Sequence, residues 1–122
     1  MDRRLKSKKI IDKLFQEGKS YFSYPIKLVY LPLKDKDGEY GMQYTVSVSK
    51  RIFKKAVDRN KVKRQMREAI RLNLTDVVEA ESSSFLAMMF IYVGKEKLEY
   101  GTIEKGVKKL TPKISRLMQG NV

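Results

Sequence analysis

The sequence predicts a single α+β domain in which helices pack on a mixed sheet. Three observations carry this. Residues 40–49 alternate strictly, with Met42, Tyr44, Val46 and Val48 on one side and Gln43, Thr45, Ser47 and Ser49 on the other, the period of a half-buried strand. Residues 85–93 form a nine-residue apolar run, too short for a bilayer and the right length for a strand buried on both faces. Residues 58–74 and 99–118 instead carry a helical period. A chain of 122 residues fits one domain spanning 1–122, and at this size roughly two-thirds of the unfolded surface is buried, enough for one core.

Taken in order, Ser7 is a candidate cap for a helix running to about Glu17, with Gly18 as its stop. Ile10, Ile11, Leu14 and Phe15 share one stripe of it. Residues 24–33, rich in β-branched and aromatic side chains and bounded by Pro25 and Pro32, read as a strand. The turn Lys34-Asp35-Lys36-Asp37-Gly38 then suggests a hairpin with strand 40–49. Asp58 is a candidate cap for the central helix, and Thr75 to Ser84 read as a polar connection or frayed helix end. In the last helix Ile103, Val107, Leu110, Ile114 and Leu117 form the apolar stripe, and Pro112 should kink or divide it. The predicted order is α-β-β-α-β-α, with room for one extra short strand.

The net charge is +13, from 27 Lys and Arg against 14 Asp and Glu. No Cys or His is present, which excludes a disulfide framework, a zinc finger, a cysteine nucleophile and a His-based triad. The basic residues after Met1 have no apolar core behind them, so the start does not read as a signal peptide. The expectation is a soluble, cytoplasmic protein that seeks a polyanion. The charge is concentrated: residues 50–72 hold ten basic and two acidic side chains. Such a segment repels itself unless a partner supplies negative charge.

On a helical projection of this segment, Val62, Met66, Ala69 and Ile70 fall within an arc of roughly 100°. Arg59, Asn60, Lys63, Arg64, Arg67 and Arg71 occupy the adjoining arc, with Lys61 and Glu68 outside it. Acidic partners at i+4 are largely missing, so the face is not self-neutralised. Arg forks suit phosphates and guanine edges alike. A DNA major groove fits this ridge, but the chain lacks a helix-turn-helix companion and a dimer heptad.

Two stretches, Val46-Ser47-Val48-Ser49-Lys50-Arg51 and Ala56-Val57-Asp58-Arg59-Asn60-Lys61-Val62-Lys63-Arg64-Gln65-Met66-Arg67-Glu68-Ala69, resemble the signature of the bacterial ribonuclease P protein subunit. Arg4-Leu5-Lys6 and Leu14-Phe15-Gln16-Glu17-Gly18 extend the resemblance upstream, and it continues through the buried strand and last helix. The chain departs from the pattern at Lys61, usually Arg, and at Phe53-Lys54-Lys55, where many members have a shorter turn with glycine.

The resemblance implies that family's sandwich fold, which is related to a domain of a ribosomal protein. It implies a subunit of an RNA-catalysed endonuclease. The catalytic RNA subunit, with Mg²⁺ bound mainly by that RNA and the substrate, removes the 5′ leader of precursor tRNA. The protein contributes no catalytic or metal-binding residue, and no organic cofactor, membrane or obligate protein partner is expected. By the same resemblance Arg59, Asn60, Lys61, Lys63, Arg64 and Arg67, with Lys50 and Arg51 nearby, bind the RNA subunit. The single-stranded leader lies in a cleft between the first helix and the open sheet face. Phe15 matches a cleft aromatic, Ile11 stands where the family often has Phe, and the strand tyrosine falls on Val29, one place before Tyr30. Adjacent strand residues face opposite ways, so Val29 and Tyr30 are alternatives at this point.

The residues themselves agree with such a role. Phe15, Tyr21, Phe22, Tyr24 and Tyr30 cluster near the basic N-terminus, and base stacking on rings tolerates any sequence. The alternative for any one of these rings is a place in the core, as aromatics often have. Asp35 to Glu39 looks like a calcium loop, but its Gly comes too early and Val46 stands where a bidentate Glu is needed. Met88 and Met89 read as core. A non-enzymatic RNA-binding module of ribosomal or chaperone type is the alternative function, and a stand-alone nuclease a third, with no carboxylate cluster visible in the sequence to support it.

Overall fold

The computed structural model describes residues 5–33, 41–79 and 85–118. Among the described residues three helices flank one four-stranded sheet: α1 (Lys8–Glu17), β1 (Lys19–Ser23), β2 (Ile26–Leu33), β3 (Gly41–Val48), α2 (Ala56–Glu79), β4 (Phe85–Tyr92) and α3 (Tyr100–Met118). The strand order is β1-β2-β4-β3. β1 pairs antiparallel with β2 and β2 with β4, whereas β3 runs parallel to β4. The class is the expected α+β with a mixed sheet.

The expected hairpin between 24–33 and 40–49 does not form. β4 lies between the two strands, and β2 instead turns back on β1, the short extra strand. β4 is apolar along its length, so it is stable only with a partner on each edge and helices on each face. The central place satisfies this: Leu86, Met88, Phe90 and Tyr92 face α2 and α3, and Ala87 and Met89 face α1. The turn 34–38 lies outside the described residues, as does the stretch 80–84. β2 begins at Ile26 rather than 24, because Tyr24 and Pro25 make the β1–β2 turn. Pro32 lies past the last β1 pair, Lys19 with Tyr30, where β1 offers it no ladder bond to miss.

The helices follow the sequence with adjustments. Ser7 caps α1, its Oγ accepting from the Ile10 N–H at 3.3 Å. Gly18 ends it by close approach: a Cβ there would stand 2.4 Å from the Leu14 carbonyl oxygen and 2.7 Å from Val29 Cγ1. Asp58 is not a cap. α2 starts two residues earlier, and Asp58 sits in its first turn, where negative charge suits the helix dipole, bonded to Lys97 Nζ at 2.7 Å. That bond holds the Asp58 carboxyl below its ordinary pKa. α2 also absorbs Thr75 to Glu79, and α3 continues unbroken through Pro112. Pro112 is exposed, so the proline stands on the solvent side of the helix while Leu110 and Ile114 stay buried.

α2 lies over β3, and α3 beside it over β1, β2 and β4. Val62, Met66, Ala69, Ile70 and Leu74 of α2 pack with Ile103, Val107, Leu110 and Ile114 of α3 on this main core. α1 covers the other face with a smaller cluster, in which Leu5 and Leu14 meet Ala87 and Met89.

Candidate nucleic-acid interface

Two surfaces emerge from this arrangement. The first is the cationic ridge of α2. Its apolar stripe is fixed against the sheet, and Asn73, donating to the Ala69 carbonyl and the Glu104 carboxylate, ties one flank to α3. The opposite flank is left to solvent. Asn60, Arg64 and Arg67 are exposed there and Lys63 is half-buried. Arg67 and Arg71 lie close enough to Tyr44 to oppose the upward pKa shift that burial gives its hydroxyl. Lys61 is exposed but stands off the ridge.

Arg59 has a different place from its neighbours. It is half-buried, and its Nη1 donates to the carbonyls of Phe53 at 2.9 Å and Lys54 at 3.1 Å. It therefore clamps the entry loop as well as adding charge. Phe53 itself is buried against Tyr92, ring centroids 5.8 Å apart, so a core ring anchors the turn in which the sequence departs from the family pattern. Lys50 and Arg51 are exposed on the same loop, where the Arg51 N–H donates to Ser49 Oγ at 3.0 Å. Arg71 binds Glu68 through two hydrogen bonds, so part of its charge is met within the helix.

The second surface is the sheet face under α1. Strand register sets its rows: Ser20, Val29, Met89 and Thr45 lie side by side, and Phe22, Lys27, Ile91 and Ser47 form the next row. α1 spans β2 and β4, so the β1 and β3 ends of these rows lie at its margins. Phe15 projects from α1 with 68% of its surface exposed, although its neighbour Leu14 is 1% exposed. Ile11 and Val29 are half-buried against Leu14 and Met89.

The ambiguity between Val29 and Tyr30 is thereby resolved. Val29 lies on the α1 face. Tyr30 is 5% exposed on the opposite face, in the main core, with Lys113 Nζ 5.6 Å from its ring centre. Tyr30 does not line the cleft, because strand alternation turns it away. Sequence reasoning did not single out Lys27, Thr45 and Ser47 for this face. The β2–β4 pairing that aligns them joins segments far apart in sequence. Among the described residues no group of three Asp, Glu, His or Cys side chains could hold a metal ion, and no helix is long and apolar enough to cross a membrane.

Comparison with known proteins agrees with this geometry. A family model described as Ribonuclease P matches residues 1–115. The ribonuclease P protein component of Porphyromonas gingivalis is 36% identical over 115 residues, covering 92% of this chain and 80% of that protein. The ribonuclease P protein component of Microcystis aeruginosa is 28% identical over 112 residues, covering 92% and 90%. Among solved structures, the RNase P protein of Thermotoga maritima matches with a TM-score of 0.69 at 23% identity, covering 90% of this chain and 96% of that one. The Staphylococcus aureus RNase P protein gives 0.68 at 18% identity, covering 97% and 99%. These two structures establish the shared fold. The family match and the sequence relatives go further, and the chain belongs to the ribonuclease P protein family, the protein component of the enzyme that matures the 5′ end of tRNA.

Proposed function

We propose that this subunit bridges two RNAs, holding the catalytic RNA subunit on the α2 ridge and the single-stranded 5′ leader of precursor tRNA in the α1 cleft. The observation that carries this reading is the placement of the two surfaces. α2 covers one face of β3, and Thr45 and Ser47 of the same strand open on the other. One edge strand thus separates a phosphate-binding ridge from a groove with an exposed ring. The chemistries differ accordingly. Lys63, Arg64 and Arg67 offer charge and forked donors for backbone phosphates, aided by Asn60, Lys61, Lys50, Arg51 and the outer N–H groups of Arg59. Phe15 offers a stacking face beside Ile11 and Val29, and stacking accepts leaders of any sequence.

Cleavage belongs to the RNA subunit in this reading. Mg²⁺ is assigned in this reading to the RNA and the substrate, whose phosphates supply oxygen ligands for a hard cation. Lys and Arg near the RNA lower phosphate repulsion and orient the substrate, but they abstract no proton here. The reaction takes place in the cytoplasm, where precursor tRNA is processed. Reconstitution tests the reading. Purified protein alone should leave precursor tRNA intact, and addition of a bacterial ribonuclease P RNA with Mg²⁺ should release the leader. Cleavage by RNA-free protein would make the chain a nuclease itself and overturn the proposal.

A further inference from the structure

We propose that Phe22 and Tyr24, with Lys27 beside them, form an aromatic shelf at the β1 margin of the cleft that stacks unpaired leader bases. The inference rests on the leader reading above and adds a second base-binding position to it. Phe22 is 62% exposed and Tyr24 55%, unusual for rings that flank a core. Their centroids are 6.5 Å apart with planes tilted by 50°, so neither covers the other's face. Phe22 shares the row of Lys27, Ile91 and Ser47, next to the row that holds Val29. Phe22 therefore lies on the sheet face that α1 covers, the helix that carries Phe15.

These rings are exposed on a fixed backbone. Ser23, between them, is buried, and its Oγ–H donates to the Gly106 carbonyl at 2.8 Å. The Val93 N–H donates to the Pro25 carbonyl at 2.8 Å. Gly106 lets α3 pack closely on the turn, since a Cβ there would lie 2.9 Å from the Tyr24 carbonyl oxygen. The turn is thus pinned to α3 and the end of β4, and the two rings are held outward before any partner arrives. A surface prepared in this way loses little freedom on binding.

Charge selects the occupant. Lys27 is exposed in the same row, with no carboxylate partner among the described residues. A second copy of a chain with net charge +13 would be repelled from the edge of β1. Nucleobases joined by phosphates match both features, the ring faces and the lysine. The aliphatic Ile11 and Val29 have no ring face to offer, whereas Phe15 and the shelf do.

The test uses holoenzyme reconstituted with a bacterial ribonuclease P RNA, and measures binding of precursor and mature tRNA. Replacing both rings, Phe22→Leu with Tyr24→Leu, should weaken precursor binding roughly five- to tenfold per ring and leave mature tRNA unchanged. Phe22→Tyr keeps a ring and should bind as wild type. The chain has no Trp, so Phe22→Trp introduces a single indole whose fluorescence should be quenched more by precursor than by mature tRNA. If Phe15→Ala weakens precursor binding while the double Leu variant binds normally, the shelf is wrong and the cleft stands. If wild-type holoenzyme binds precursor and mature tRNA equally, the leader reading fails and the shelf with it.

Discussion

The Arg59 guanidinium donates from one nitrogen to two successive loop carbonyls, with Phe53 O at 2.9 Å as the nearer. One side chain therefore serves both the RNA-binding ridge and the fold. The loop it holds carries Lys50 and Arg51 into position and begins α2. Charge-assisted bonds of this kind contribute more than neutral ones.

Arg59→Ala is expected to cost about 1–2 kcal/mol, allowing for partial exposure, and to lower the melting temperature by roughly 3–6 °C per kcal/mol. Arg64→Ala, on the exposed side of the helix, should melt as wild type. Both should bind the RNA subunit more weakly. Thermal denaturation of the two variants side by side separates the clamp from a side chain that serves binding alone, and equal melting curves would remove the clamp.

Neutralising Lys63, Arg64 and Arg67 together should flatten the salt dependence of RNA-subunit binding. Each phosphate that a cation ceases to neutralise reduces the slope of log K against log salt by roughly 0.7–0.9, so three remove about two to three. The melting curve should hardly move, because the buried stripe of Val62, Met66, Ala69 and Ile70 is untouched. Titrations at several salt concentrations give the slope, and an unchanged one would place the RNA site elsewhere.

Phe15→Ala should weaken precursor tRNA binding by about fivefold to a hundredfold, with little change for mature tRNA. A fully buried Phe would instead cost about 3–5 kcal/mol of stability. The exposure of Phe15 decides between these outcomes, so the melting temperature should stay within a few degrees of wild type. A steep fall in melting temperature with normal discrimination between the two tRNAs would show packing rather than binding.

Gly106→Ala should destabilise the fold by about 1–3 kcal/mol, the usual cost of forcing extra volume into a packed region. The added methyl meets the Tyr24 carbonyl oxygen, Pro25 Cδ at 3.0 Å and the Ser23 carbonyl oxygen at 3.2 Å. None of these is the free end of a flexible side chain. Gly101→Ala, with nothing within 4 Å, is the matched control and should stabilise or leave α3 unchanged. Urea denaturation of both variants measures the difference.

Much of the architecture is legible from local pattern. Alternation puts Met42, Val46 and Val48 on the buried face of β3, and the unbroken apolar run places β4 inside. Ser7 and Gly18 bound α1 at the expected positions, Ser7 as a side-chain cap, whereas Gly18 has extended backbone and is required by the close approach of Val29. The ridge of α2 is visible because helical periodicity is a property of the helix alone. The hairpin expectation fails because β2 and β3 are close in sequence, and sequence proximity does not choose between neighbours when a more apolar strand competes for the centre.

The family signature, the concentration of positive charge and the apolar periods of α1, α2 and α3 were determined by the sequence alone, since each depends on residue type and spacing along a short stretch of chain. Strand order, the separation of Val29 from Tyr30, the alignment of Phe22 with Lys27 and the clamp of Arg59 were decided only by tertiary structure. The physical reason is the same in each case. A one-residue change of register turns every side chain to the other face, and register is set by long-range pairing and core packing that no local window contains.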